Sequence, residues 1–181
     1  MMRAAAVAAL LPLAASACSG MTYQVGRVTP AVKLRADKFQ GGEISASWEG
    51  HGVGFQATGQ AQELHRNVPD GMQSHVGGGV DFGMRVSLFG LFANDHRVDH
   101  WFDVGATAAG GGGLIVPNRL TTYGEGWVGG WVAFGLWPGD RYPSLLVEAR
   151  RVAVTDWDNF TVFTVGISIT NRYYETFTLR D

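Results

Sequence analysis

Few residues in this sequence are arranged for chemistry. Asp95-His96-Arg97-Val98-Asp99-His100 brings four metal-capable side chains into six residues. A catalytic zinc needs three protein ligands in fixed geometry. The segment lies between two strand-like stretches, so it reads as a polar interstrand loop, with metal capture as the other reading. Gly124-Glu125-Gly126-Trp127-Val128-Gly129 matches a dinucleotide fingerprint letter by letter. That fingerprint works only where a helix follows the glycines and turns its N-terminus to the pyrophosphate. Here 130–137 alternates as a strand, and the glycines read as space beside two tryptophans. His51, His65 and His75 are scattered and read as loop histidines. No Gly-x-Ser-x-Gly occurs. No catalytic residue, metal ligand or cofactor is therefore assigned, although a Ser–His pair assembled from different strands stays open.

The lone cysteine belongs to a different chemistry. Residues 1–17 read as an export signal: Arg3 is a short positive region, 4–13 is apolar, and Ala15-Ser16-Ala17 is a small-residue cleavage site. The apolar run is too short to span about 30 Å of hydrocarbon as a helix. Cys18 follows directly and is the only cysteine of the chain, so it has no partner for an internal disulfide. Ala15-Ser16-Ala17-Cys18 resembles the lipobox of bacterial lipoproteins, and the resemblance implies a lipid anchor on Cys18. Ala15 stands where leucine is commonest, and ordinary cleavage after Ala17 is the alternative. Ser19 implies the outer rather than the inner membrane. Residues 18–26 read as a lipidated N-terminus and linker.

The elements that must carry any further site follow a period of two, not 3.6. Eight stretches alternate: 27–38, 43–49, 53–62, 76–92, 101–110, 123–136, 144–154 and 160–170. In the fourth, Val76, Val80, Phe82, Met84, Val86 and Leu88 share one face, and Gly77, Gly79, Asp81, Gly83, Arg85 and Ser87 the other. In the sixth, Trp127 and Trp131 stand opposite Val128, Val132 and Phe134. In the seventh the alternation slips at Arg151, read as a bulge. Turn chemistry joins the stretches, notably Gly50-His51-Gly52 and Pro69-Asp70-Gly71. The expected fold is all-β, an antiparallel up-and-down barrel of about eight strands over 27–170, with 171–181 as an extension that lengthens strand eight or adds a ninth. Gly110 to Gly113 reads as part of a loop.

Composition addresses which face is wet. Charged residues are 17% of 181, below the roughly 25% of soluble domains. The net charge of −2 argues against a nucleic-acid partner. The polar face is rich in glycine and carries Lys33, Arg35, Asp81, Arg85, Asp103, Glu148 and Arg150. A narrow eight-stranded lumen has to be filled by side chains, and small residues with paired charges suit it. These seven are assigned to the lumen, as a structural plug or a gate. Phe39, Trp48, Phe92, Trp101, Tyr123, Trp137, Tyr142, Trp157 and Phe160 lie near strand ends, as aromatic girdles do.

Trp101-Phe102-Asp103-Val104-Gly105-Ala106 and Phe163-Thr164-Val165-Gly166-Ile167-Ser168-Ile169-Thr170 resemble the strands of small, OmpA-like, eight-stranded bacterial outer-membrane barrels. The resemblance implies a non-enzymatic barrel in the outer membrane, in contact with its lipid, with a structural or surface-interaction role. With a lipid anchor in the inner leaflet, 63–75 and 111–122 are the expected outer loops, and 93–100 faces the periplasm. The chain departs from the family in not ending on an aromatic residue. The second reading is a periplasmic lipoprotein whose lipocalin-like barrel turns its apolar face inward around an apolar ligand.

Overall fold

Alternating residues place successive side chains on opposite faces of an extended chain, and in this protein the alternation runs further than the sequence pattern alone suggested. The computed structural model describes residues 21–35, 38–92, 102–116, 121–136 and 141–176. Eight strands follow in chain order: β1 (Met21–Arg35), β2 (Lys38–Gly50), β3 (Val53–Val68), β4 (Gly71–Ser87), β5 (Phe102–Val116), β6 (Thr121–Gly135), β7 (Arg141–Val154) and β8 (Phe160–Thr176). Each pairs antiparallel with the next, and β8 closes on β1. One short helix, α1 (Leu88–Phe92), follows β4.

Register defines the barrel's shape. A row of paired residues runs from Gln24 through Gly50, Val53, Val86, Ala106, Gly130, Ala149 and Phe163. It returns to β1 at Leu34, ten residues beyond its start. With eight strands, a rise of about 3.3 Å per residue and a spacing of about 4.7 Å, that stagger tilts the strands by about 41°.

The apolar set faces outward. Phe55, Phe82 and Ile169 are 70%, 68% and 66% exposed, and Val28, Ile44, Trp48, Val76, Val80, Val128 and Ile167 are exposed with them. The lipocalin-like alternative requires this set inside, and the structure places it outside. On β4 the outward apolar positions run from Val76 to Val86. Ten steps at that tilt give a band about 25 Å tall. Among the described outward positions of this band, two are charged: Arg151, which donates to Thr161 Oγ1 at 3.1 Å, and Glu63, which pairs with Val76 at the loop-end edge and accepts from Ser74 Oγ.

Several expectations are corrected. Met21 to Gly26, read as a linker, is the start of β1 and pairs with residues 171–176. The extension therefore lengthens β8; no ninth strand forms among the described residues. Both segments alternate, and each supplies the other's missing hydrogen bonds. Residues 63–75, read as a loop, are the paired ends of β3 and β4, turned by Pro69-Asp70. Likewise 111–116 belongs to β5, including Gly111 to Gly113. Residues 88–92 leave the alternation and form α1, which packs on the β2–β3 turn. His51 and Gly52, with φ of 49° and 79°, make the two-residue turn that suits a hairpin. A Cβ on Gly52 would lie 2.3 Å from the Leu91 nitrogen.

The slip at Arg151 is not a bulge: the pairing of β7 with β6 and with β8 runs without a shift. What changes is the chemistry of the inner face. Toward the loop end the lumen is apolar, filled by Leu64, Ile115, Tyr123, Trp127, Val152, Val154, Phe160 and Val162. Val152 and Val154 therefore keep the phase of Glu148 and Arg150 while reading as if they had crossed faces. The register shift that does occur lies between β1 and β2: Lys33 pairs with Gly41 and Leu34 with Phe39, which leaves Gln40 as the extra residue of β2.

The girdle divides in the same way. Phe39 and Trp48 are exposed on the outer wall. Tyr123 and Phe160 point inward, a correction with the same cause: large apolar side chains are needed to fill the loop end of the lumen. Trp157 is half-buried against that cluster, 5.4 Å edge-to-face from His75. At the terminal end Phe102 meets Phe89 and Phe134, at 5.7 and 5.3 Å. Trp101, Trp137, the side chains of Phe92 and Tyr142, and the Asp95 to His100 motif lie outside the described residues.

Candidate functional site

The polar face converges on the barrel axis and forms two layers of charge, each stacked on a tryptophan of β6. In the layer nearer the termini, Arg27 donates to Glu49 and, at 2.6 Å, to Asp103 Oδ2. Asp103 Oδ1 accepts from Ser87 Oγ at 2.7 Å. Arg85 reaches Glu49 at 2.9 Å and donates to Gln56 Oε1 at 3.0 Å. Both guanidiniums lie over Trp131, Arg85 at 3.7 Å and Arg27 at 5.3 Å from the ring centroid. Two cations meet two carboxylates, and the ring face adds an attraction for each cation.

In the second layer Arg150 forks onto Glu43, at 2.6 and 2.7 Å, and donates to Glu148 at 2.6 Å. Its guanidinium lies 4.0 Å from the Trp127 ring centroid. The bidentate geometry is the one a planar guanidinium supplies and an ammonium does not. Lys33 donates to Gln60 and to Gln62, the latter at 2.6 Å, and lies 4.0 Å from Glu43. Gln60 and the Trp127 indole donate to Asp81 Oδ2 at 2.7 and 3.1 Å, and Gln62 donates to Glu125 Oε2 at 2.6 Å.

The glycines of β4 and β5 make room for these groups. A Cβ on Gly105 would lie 2.5 Å from Cζ2 of Trp131, and one on Gly77 would lie 3.1 Å from the Tyr123 ring. The bulky rings of β6 fill the lumen because the facing strands carry no side chain there.

Six of the seven residues assigned to the lumen from sequence lie buried inside it: Lys33, Asp81, Arg85, Asp103, Glu148 and Arg150. Arg35 does not join either layer. It is half-buried at the loop end, with its guanidinium 5.6 Å from the Phe160 ring centroid. It keeps the inward phase of Lys33, and Phe160 beneath it lines the same end of the lumen. Sequence reasoning missed Arg27, Glu43, Glu49 and Glu125, and the glutamines Gln56, Gln60 and Gln62. Their signal was present: each has the phase of a lumen position in its own strand.

Above the apolar end of the lumen, the β3–β4 hairpin reaches across to the β7–β8 turn. Asp158 N donates to the His65 carbonyl at 3.1 Å, and Asn67 Nδ2 donates to Asp158 Oδ2 at 2.7 Å. His65 is buried beneath, 3.6 Å from Glu63. The exposed residues at this end include Arg66, Asn67, Asp70, Met72 and Gln73.

No protein-family model matches the chain, and no curated protein matches it. Solved structures with a similar arrangement include Neisserial surface protein A, with a TM-score of 0.47 at 10% identity over 85% of this chain and 97% of that one. Ail, the attachment invasion locus protein of Yersinia pestis, gives a TM-score of 0.39 at 11% identity over 85% of this chain and 99% of that one. The same protein in complex with the heparin analogue sucrose octasulfate gives 0.39 at 11% identity.

Proposed function

We propose that the chain is a non-enzymatic outer-membrane β-barrel lipoprotein, anchored by acyl chains on Cys18, with a structural or surface-interaction role. The observation that carries the reading is the outer wall. A band about 25 Å tall, apolar and, among its described residues, free of charge but for Arg151 and Glu63 at its loop-end edge, matches the hydrocarbon thickness that bacterial barrels cross. A water-facing surface of that kind exceeds by far the apolar patches that soluble monomers expose. The lumen charges serve as a plug in this reading, because they are bonded to one another and stacked on Trp127 and Trp131.

Both ends of the described barrel lie on the side from which the N-terminal segment leaves. Lipid on Cys18 in the inner leaflet puts that side in the periplasm. The tied β3–β4 hairpin and β7–β8 turn then face outward and offer the contact surface. No nucleic acid is a partner in this reading; membrane lipid is, together with a surface ligand of unassigned chemistry.

The test is to produce residues 21–181, without leader or Cys18, and refold them with and without detergent. Folding only in detergent, with an unboiled sample shifted on a gel, is the expected result. A monodisperse folded monomer in buffer alone refutes it. Metabolic labelling of the full chain with a radioactive fatty acid, lost on Cys18→Ala, tests the anchor separately.

A further inference from the structure

The outer wall is not evenly filled. One row of outward residues runs from Ile169 across the closing seam to Val28 and on through Ala46, Ala57 and Phe82. Beside it, toward the termini, the next row holds Gly26, Trp48 and Phe55. Ala46 and Ala57 are exposed, and a Cβ on Gly26 would meet no atom within 4 Å. The large side chains around these three small residues border a groove of about 590 Å³ on the wall of β1, β2 and β3. Ligand sites typically measure about 300–1,000 Å³.

The groove has the slope and depth of one leaflet. A row climbs toward the loop end at each step from strand to strand, since the one begun at Gln24 returns to β1 at Leu34. Ile169 to Phe82 is four strand spacings. That distance is about 19 Å along the row and, at a tilt of about 41°, about 12 Å in height. The climb is half of an apolar band about 25 Å tall. The lower end lies at the edge of the band: beyond Ile169 the next outward residue of β8 is Asn171, which pairs with Gly26. The start of the chain is near. β1 begins at Met21, five residues before Gly26, or about 17 Å along the strand. Cys18 precedes Met21 by three residues, a tether of at most about 11 Å. Doubled back along β1, that tether reaches to about 6 Å from Gly26, at the mouth of the groove.

We propose, on the reading of Cys18 as a lipid anchor, that one of its acyl chains lies in this groove, across the β1–β8 seam and against Ala46 and Ala57. An acyl chain attached on the periplasmic side has one leaflet to cross, and the groove offers that depth from the mouth nearest Cys18. A flexible hydrocarbon gains dispersion contacts in an apolar recess that a flat wall does not offer. The seated chain packs on β8, β1, β2, β3 and β4 at once, so it covers the pairing that closes the barrel. The anchor is then part of the barrel wall as well as its hold on the membrane.

The test uses the full chain, made in a bacterial host with an outer membrane that is fed a diazirine-bearing fatty acid. Outer-membrane vesicles are irradiated, and the digested barrel is mapped by mass spectrometry. Label on the Cys18 peptide measures acylation, and the partner of each cross-link measures docking. The expected result is that cross-links from the Cys18 peptide to residues 44–57 and Phe82 exceed those to the outward residues of β5, β6 and β7 several-fold. The double variant Ala46→Trp, Ala57→Trp fills the groove from outside and should scatter the cross-links, with heat-dependent gel mobility showing that it folds. If it does not fold, the wild-type map decides the matter. Cross-links spread evenly around the barrel from a labelled Cys18 overturn the proposal alone, and so does an unchanged map in the folded double variant. A groove cross-linked to free phospholipid instead of to the Cys18 peptide also overturns it, by assigning the groove to membrane lipid. Absence of label from Cys18 overturns the anchor and this proposal together.

Discussion

Replacing Arg150 by methionine keeps most of its bulk in the lumen but leaves two carboxylates buried without their cation. Three short charge-assisted bonds are lost at once, at 2.6, 2.7 and 2.6 Å to Glu43 and Glu148. The stack on Trp127 at 4.0 Å goes with them. Breaking a buried ion pair by removing one partner costs about 3–5 kcal/mol, because the other charge stays desolvated. Two stranded carboxylates put this case at the upper part of that range, about 5 kcal/mol. The triple variant Arg150→Met, Glu43→Gln, Glu148→Gln removes all three charges and should regain most of the loss. Reversible urea unfolding in detergent micelles, followed by tryptophan fluorescence, measures both. A single variant within about 1 kcal/mol of wild type would refute the reasoning, since a loss that small is what exposed pairs give. A triple variant as weak as the single one would refute it too, by showing that packing on Trp127 rather than charge carries the cost.

Trp131→Ala should lose about 3–5 kcal/mol in the same assay, as a large buried ring is removed from beneath two guanidiniums. Phe82→Arg, at an exposed position in the middle of the outer band, should cost about 2–4 kcal/mol in a bilayer. In detergent-free buffer no such penalty exists, so a neutral result in vesicles would count against membrane insertion. Gly105→Ala should prevent refolding, because its Cβ would lie 1.9 Å from the Val86 carbonyl and against Trp131; recovery of heat-modifiable barrel on a gel reads this directly. Asp158→Ala removes the tie to Asn67 at an exposed position. It should change stability by less than about 1 kcal/mol while speeding proteolytic nicking of the β3–β4 hairpin.

Much of this protein was legible in the residues alone, and the limits of that reading have a physical pattern. Period two identified strands, and strands of this length with little charge pointed to a barrel with its apolar face outward. Parity within a strand is a local property, so Lys33, Asp81, Arg85, Asp103, Glu148 and Arg150 could be assigned to one face before any pairing was known. The same parity holds for Arg27, Glu43, Glu49 and Glu125, but the apolar residues beside them mark their strands more strongly than these charges do. Arg35 keeps the phase of Lys33 but lies beyond both charged layers, at the apolar loop end of the lumen, where it meets Phe160.

The sequence by itself determined the period, the hairpin turn at His51-Gly52, and which strand faces are polar. The tertiary structure alone decided which residues of those faces meet. Arg150 and Glu43 are 107 residues apart and join only because the barrel closes. Asp81 and Glu125 come together because the registers of β4 with β5 and of β5 with β6 set both beside Gly111. The loop end of the lumen is apolar, so Val152, Tyr123 and Phe160 turn inward against the hydropathy pattern that suits the rest of the wall. Alternation specifies a face, but only closure and register specify a neighbour, and the charge network here is made of neighbours.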